Sequence, residues 1–184
     1  MFFFLRQNLF ADLGMLDIVG HTDETRRFNW LKGVRFDRPV PRETLLLDGS
    51  GGANFPDYFD STIPVMSLRM VAALSSFGVA NLDTYPVLLR NHATGVERDD
   101  YVAVNLIGSV DAVDLANSTY RSRFGAPYFT GPVSIDPTAA GDRLAFRLQR
   151  GPAFIVLAAP LAAHIAAAGL AAVLLQPTTA YQGT

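Results

Sequence analysis

An uncharged run of 23 residues, 153–175, restricts the fold of this chain more than any other sequence feature. A run of this length is long enough to cross a bilayer as a helix. Pro160, His164 and the predominance of alanine argue against a membrane span, because alanine barely favours insertion and no Lys or Arg follows the run. The alternative is a strand-helix-strand unit, in which Pro160 lies in the first turn of the helix and Gly169 ends it. We predict this C-terminal unit, with strands at 154–157 and 170–175.

The composition predicts a folded domain. Hydrophobic residues make up 49% of the 184 residues and charged residues 17%, which excludes a disordered chain. The formal net charge of −2 argues against nucleic-acid binding that relies on overall positive charge. The absence of cysteine excludes disulfides and thiolate metal ligands. The length predicts a single domain over 1–184, in which 1–55 is less clearly patterned than the region 56–176.

Hydrophobic periodicity predicts the other main elements. Apolar residues at helical spacing predict a helix over 65–77 that ends at Gly78. Apolar runs at 82–89 and 101–107, joined by the polar loop 91–100, predict a hairpin.

Two further segments read as strands, and one segment carries no regular pattern. Alternating side chains predict a half-buried strand over 143–149, and the apolar start of the chain, 1–5, predicts another strand. The segment 118–129 combines polar and aromatic residues with Gly125 and Pro127, and is expected to be irregular. The fold class is therefore α+β. We expect one mostly antiparallel sheet that holds the strands at 82–89, 101–107 and 143–149, with the helix packed on it.

Few motifs in the sequence point to catalysis. The glycines at 48–52 lack the Lys-Ser/Thr of a phosphate-binding loop, and the three histidines share no ligand spacing, so no metal site or cofactor is predicted. Asp111 and Asp114 are the foremost candidates for acid-base chemistry. Turn capping or a buried hydrogen bond is the alternative role for these two carboxylates.

An ordered series of short motifs covers about residues 56–176. The series comprises Phe59-Asp60, Ser67, Arg69, Tyr85-Pro86-Val87, Asn105, Gly108, Asp111, Asp114, Ser118, Ile135-Asp136, Phe146-Arg147-Leu148 and Gly169. In order and spacing it resembles immunity family eleven of the bacterial polymorphic-toxin immunity proteins, formerly a domain of unknown function. Residues 1–55 lie outside the resemblance.

The resemblance implies an antitoxin rather than an enzyme. Such a protein acts in the cytoplasm, binds one cognate toxin domain by direct contact and needs no cofactor, nucleic acid or membrane. The oligomeric state stays open. Two other functions remain as alternatives, a small enzyme that uses Asp111 and Asp114, and a structural subunit of an oligomer.

We interpret the motif positions as scaffold, because residues shared by proteins that face different toxins cannot all be specific to one partner. Asn105 and Ser118 are expected to satisfy backbone groups. Arg69 and Arg147 are expected to be partly buried and to pair with carboxylates, since an unpaired buried charge is costly. The candidate partners among the motif positions are Asp60, Asp111 and Asp114, while Ser67 belongs to the helix.

The loop at 91–100 is the first candidate for the toxin-binding surface. It brings together Glu97, Asp99 and Asp100, and toxins that act on nucleic acid have basic active sites that such a loop complements. An ordinary solvated turn is the alternative interpretation of these three carboxylates.

Overall fold

The computed structural model describes residues 1–9, 17–20, 27–48 and 54–183. The fold is α+β and rich in antiparallel strands, which confirms the predicted fold class. In chain order the strands are β1 (Phe2–Gln7), β2 (Asp17–Gly20), β3 (Glu43–Asp48), β4 (Tyr58–Phe59), β5 (Val65–Ser67), β6 (Leu82–Asn91), β7 (Glu97–Leu106), β8 (Ser109–Val110), β9 (Val113–Asp114), β10 (Tyr120–Arg123), β11 (Ala126–Phe129), β12 (Ser134–Ile135), β13 (Ala145–Leu148), β14 (Gly151–Ala158) and β15 (Val173–Pro177). The helices are α1 (Leu68–Ser76), α2 (Pro137–Ala140) and α3 (Ala159–Ala167).

Two larger sheets contain most of the strands. One has the order β15-β1-β14-β13-β8 and the other the order β2-β3-β6-β7-β5-β4. Among the described strands, only β13 with β8 and β3 with β6 pair in parallel. The expectation of one sheet was wrong, because β6 and β7 belong to the six-stranded sheet whereas β13 belongs to the five-stranded one. Alternation identifies a strand and its faces, but it carries no information on which strand pairs with which.

Among the described residues, three hydrophobic cores cover the faces of the two larger sheets, one of them lying between the sheets. On β7, Val102 and Val104 face a core that also contains residues of the five-stranded sheet and of helices α1 and α3. Tyr101 and Ala103, on the opposite face of β7, belong to a second core with Trp30. The third core covers the far face of the five-stranded sheet. Both sheets are therefore buried on both faces along their central strands.

Strand β13 shows the effect of this double burial. All four of its residues are buried, although alternation had predicted a half-buried strand. Phe146 and Leu148 lie in the third core, and Ala145 lies in the first. Arg147 shares the face of Ala145 and has an exposed fraction of 0%.

Helix α1 begins three residues later than the sequence predicted. Val65–Ser67 extends the six-stranded sheet as β5, pairing with β7 and β4. The Oγ of Ser67 accepts a hydrogen bond from the amide of Met70 and so caps the helix. The capping residue, rather than the preceding Pro64, fixes the start of α1.

The predicted C-terminal strand-helix-strand unit is present as β14, α3 and β15. Pro160 lies in the first turn of α3, and Gly169 follows it with φ of +62°. Strand β1 lies between β14 and β15 and is antiparallel to both. In the part of the chain that the structure describes, no helix has the length and apolar character needed to cross a bilayer.

Candidate functional site

The three acidic residues proposed for toxin binding lie in a strand rather than in a loop. The turn between β6 and β7 spans only 92–96, so Glu97, Asp99 and Asp100 are residues of β7. The side chain of Asn91 closes this turn by accepting hydrogen bonds from the amides of Ala93 and Thr94. The prediction of an acidic loop was wrong, because the ladder between the strands extends further than the polar sequence suggested.

Arginines neutralise two of these three carboxylates. Glu97 pairs across the ladder with Arg90 at 2.5 Å, and Asp100 pairs with Arg98 at 2.5 Å. Hydrogen bonds from Arg98 lower the pKa of Asp100. This end of the hairpin is therefore a mixed charged surface and not a negative patch.

Ser67 and Asp57 form a buried link between α1 and the loop before β15. The Oγ of Ser67 donates to Oδ1 of Asp57, and Oδ2 of Asp57 accepts from the amide of Ala171 at 2.7 Å. Arg69 lies at the edge of this link with a side chain that is 65% exposed, 3.7 Å from Asp57. Its expected burial was wrong, and its carboxylate partner is Asp57 instead of Asp60, Asp111 or Asp114.

Arg147 is buried, but it forms no ion pair with any carboxylate of the described residues. Its Nη1 donates to the carbonyl oxygen of Pro152 at 2.9 Å, while Nε and Nη2 have no hydrogen-bond partner in the part of the chain that the structure describes. Burial lowers the pKa of Arg147, although the fields of Tyr58 and Asp60 oppose that shift. The expected carboxylate pair was therefore wrong for this residue.

Asn105 and Ser118 contact backbone groups. Asn105 is fully buried, and its Nδ2 donates to the carbonyl oxygen of Val34 at 2.8 Å. Ser118 donates to the carbonyl of Asp114 at 2.6 Å and accepts from the amide of Ser134 at 2.9 Å. Ser118 thereby ties the segment after β9 to β12.

Asp111 and Asp114 are both engaged in structural contacts. Asp111 binds Arg150 with two hydrogen bonds of 2.6 and 3.0 Å, and these bonds lower its pKa. Asp114 accepts from the amides of Ala116 and Asn117 and from the side chain of Asn117, and the side-chain bond is the main cause of its lowered pKa. Lowered pKa values suit ionised partners in hydrogen bonds, not groups that exchange protons near neutral pH.

The segment that the sequence left irregular forms the hairpin β10–β11. Arg123 pairs with Ala126, so Phe124 and Gly125 make a two-residue turn, with φ of +52° and +78°. Positive φ at both positions is typical of a type I′ turn, which favours Asn, Asp or Gly at the first of them. The sequence signal for this hairpin was Gly125, which lies between two short segments of equal length. The signal did not predict strands, because both segments are polar and one of them contains Pro127.

The hairpin is anchored at its base and exposed at its tip. Phe129 is buried in the third core, and the amide of Thr130 extends the ladder to the carbonyl of Thr119. All residues from 120 to 126 are exposed. Phe124 is 97% exposed, and Tyr120 and Tyr128 are exposed beside it.

The charge of the hairpin is positive. Arg121 and Arg123 are its only charged residues, and neither forms an ion pair within the described ranges. The guanidinium of Arg123 lies 5.7 Å from the ring centroids of both Phe124 and Tyr128. Arginine and tyrosine are among the side chains enriched at the energetic centres of protein interfaces, and a guanidinium near an aromatic ring is attracted to its face.

A cleft of about 380 Å³ opens beside the base of this hairpin. One wall comes from β11, and the opposite wall comes from the start of β14 and from Tyr181. The cleft is lined by Arg6, Leu31, Asp60, Pro127, Tyr128, Phe129, Gly151, Pro152, Ala153, Phe154 and Tyr181. It is therefore mostly apolar, with one ion pair at its edge.

That ion pair joins Nε of Arg6 to Oδ2 of Asp60 at 2.5 Å, and about a quarter of each side chain is exposed. The hydroxyl of Tyr58 lies 3.5 Å from the other oxygen of Asp60. Burial raises the pKa of Asp60, although Arg6 and Arg147 act to lower it. Burial also raises the pKa of Tyr58 well above its usual value, so Tyr58 is neutral.

Comparisons with known proteins add no relative, since the chain matches no protein-family model and no curated protein sequence. The resemblance to immunity family eleven therefore stays a prediction. The described residues contain no group of three His, Asp or Glu side chains placed to hold a metal ion. What the structure provides is an exposed aromatic and basic hairpin with an apolar cleft at its base, an arrangement suited to binding.

Proposed function

We propose that this protein binds a partner protein through the β10–β11 hairpin and neutralises it by contact alone, as an immunity protein does with its toxin domain. The observation that carries the proposal is the position of Phe124, which is 97% exposed at the tip of the hairpin with a positive φ. A cytoplasmic site of action is part of this proposal.

Phe124 is costly for the free protein in two ways. A left-handed conformation costs a residue with a side chain about 1–2 kcal/mol, and an exposed phenylalanine ring gains nothing from burial. The guanidinium of Arg123 lies 5.7 Å from the ring centroid and leaves the side chain 97% exposed. A partner that buries this ring would recover the lost hydrophobic energy, and a rigid aromatic at a turn tip is a typical interface anchor.

The positive charge of the hairpin indicates the kind of partner surface that it fits. Arg121 and Arg123 flank the ring and carry two uncompensated positive charges, so they favour an apolar pocket with acidic residues at its rim. The surface near Glu97, Asp99 and Asp100 is less suited to steering a partner, because arginines compensate two of its three carboxylates.

No observation favours the enzyme alternative at Asp111 and Asp114. Asp111 is held by Arg150, and Asp114 is used as a capping residue. An oligomeric structural role is also less well supported than binding, because among the described residues the exposed aromatics lie in one narrow hairpin and do not form a broad face.

The test is co-expression with the toxin domain encoded by the adjacent gene, followed by titration of the purified pair. We expect growth to be protected and a 1:1 complex to form. Phe124→Ser should weaken that complex by about 30-fold, the effect of an anchor residue worth about 2 kcal/mol. Leu68→Gln, which removes another exposed apolar side chain outside the hairpin, is the matched control and should change affinity less than twofold.

Three results would overturn the proposal. They are the absence of a toxin gene beside this one, failure to protect the cell, and protection in which one molecule inactivates many toxin molecules. Protection with unchanged affinity of the Phe124→Ser variant would instead reject the hairpin as the contact surface.

A further inference from the structure

The cleft beside the hairpin has an electrostatic imbalance that protein binding through Phe124 does not explain. Three ionised side chains lie at or behind its edge, Arg6, Asp60 and Arg147. They sum to one positive charge, since Asp60 is the only anion among them and Tyr58 is neutral. Asp60 forms its ion pair with Arg6, and no carboxylate of the described residues pairs with Arg147.

Arg147 lies directly behind the cleft wall. Its Nη1 donates to the carbonyl of Pro152, a residue that lines the cleft. A fully buried guanidinium with two unpartnered nitrogens is expensive to keep. Its positive charge acts to lower the pKa of Asp60, a small effect against the rise caused by burial, and it adds to the positive potential at the cleft edge.

Arg6 has hydrogen-bond donors at the cleft edge that a carboxylate can use. Only its Nε is bonded to Asp60, and its two terminal nitrogens make no hydrogen bond to the described residues. The guanidinium also lies 5.8 Å from the centroid of Phe154, so it sits next to an aromatic wall. The free edge of a guanidinium fits the two oxygens of a carboxylate.

We propose that this cleft binds a small carboxylate with an aromatic body, its ring placed against the wall that Phe154 forms with Phe129 and Tyr181 and its carboxylate on the free edge of Arg6. The volume of about 380 Å³ lies in the range of small-molecule sites, which combine apolar walls with a few polar groups that fix orientation. The proposal does not depend on the toxin. The same chemistry is found in free aromatic acids and in the C-terminal carboxylate of a chain that ends in phenylalanine.

Three probes of similar shape but different charge test whether the cleft prefers a negatively charged ligand. Phenylacetate, phenylacetamide and 2-phenylethylammonium are titrated at pH 7 into the ¹⁵N-labelled protein, with the signals of Gly151, Phe154 and Tyr181 as the local readout. Phenylacetate should bind about 10-fold more tightly than either other probe, since it alone forms the charge-assisted bonds. Binding of 2-phenylethylammonium that equals or exceeds that of phenylacetate would overturn the proposal, as would the absence of shifts at these residues with all three.

Variants of Arg6 and Asp60 should change the affinity for phenylacetate in opposite directions. Asp60→Asn removes the competing anion and should tighten phenylacetate binding about threefold, whereas Arg6→Gln should weaken it about 10-fold. Arg35→Gln is the matched control, because it removes an arginine from an exposed ion pair with Asp83 away from the cleft, and it should have no effect. Weaker binding of phenylacetate to Asp60→Asn would contradict the proposal even if Arg6→Gln fails to fold.

A peptide experiment distinguishes the two possible ligands, a free aromatic acid and the C-terminus of a chain. A pentapeptide that ends in phenylalanine is compared with its C-terminal amide. Tighter binding of the acid peptide than of phenylacetate, lost in the amide, supports the site and assigns a chain terminus as the source. Binding of phenylacetate with neither peptide supports the site and assigns a free aromatic acid.

Discussion

The buried guanidinium of Arg147 donates one hydrogen bond to the described residues, to the carbonyl oxygen of Pro152, 2.9 Å away. The bond joins the centre of β13 to the start of β14, where the ladder between these two strands shifts register. One hydrogen bond compensates little of the energy needed to remove a charged side chain from water.

Replacement of Arg147 by methionine should therefore stabilise the protein. Arg147→Met keeps most of the side-chain volume and removes the buried charge, so we expect the free energy of unfolding to rise by about 1–3 kcal/mol. Urea unfolding measures it. The control is Arg143→Met at an exposed position close by in sequence, which should stay within about 0.5 kcal/mol of wild type. A clear loss of stability in Arg147→Met would show that buried partners of the guanidinium outweigh its desolvation.

Phe124→Asn should also increase stability, while it weakens partner binding. It creates an Asn-Gly turn, which suits positive φ at both positions, and we expect a gain of about 1 kcal/mol in the free energy of unfolding. Thermal and urea unfolding give the measurement. Gly125→Ala, at φ of +78°, is the opposite control and should destabilise the protein. If Phe124→Asn were only as stable as wild type, backbone strain at Phe124 would give no reason to infer that the phenylalanine is kept for binding.

Ser67→Ala should be among the more damaging polar substitutions. It removes the cap of α1 and leaves the buried Asp57 without its Ser67 partner, and we expect a loss of about 2 kcal/mol. Chemical denaturation monitored by circular dichroism checks it. Ser75→Ala, at an exposed position in the same helix, should be neutral or slightly stabilising.

The raised pKa of Asp60 predicts a specific pH dependence. A carboxyl with a higher pKa in the folded state binds more protons there, so its contribution to stability falls as pH rises from the ordinary value near 4 through the raised value. The stability of Asp60→Asn relative to wild type should consequently increase with pH across this window and stay constant above it. Urea unfolding of both proteins between pH 3 and pH 7 makes the comparison. A difference that is independent of pH would contradict the raised pKa.

The sequence was informative where the pattern is local. It located the helix–strand unit at the C-terminus and the hairpin β6–β7, because Pro160, Gly169 and the apolar runs act within a few residues. It could not assign β13 to its sheet, since that depends on pairing with β8 and β14. Burial of Arg147 was expected, but its carbonyl partner in place of a carboxylate was not, because the groups that surround it, such as Tyr58, are distant in sequence.

The candidate site was the least predictable part. The carboxylates at 97–100 attracted attention as a charge cluster, yet their arginine partners come from the same hairpin and cancel much of the charge. The cleft combines residues from positions 6 to 181, so no window of the sequence contains it. The hairpin β10–β11 had a signal in Gly125, but exposed strands lack the alternation by which strands are recognised.

The position of β1 between β14 and β15 affects how the chain is made in the cell. Phe2, Phe3 and Phe4 leave the ribosome well before their partners, because the strands on either side of them are synthesised roughly 150 residues later. At typical rates of translation this leaves the phenylalanines unpaired for on the order of ten seconds. The five-stranded sheet cannot close until β14 and β15 have been synthesised, so this apolar strand is open to pairing with other chains throughout that interval, and faster elongation would shorten the risk of aggregation.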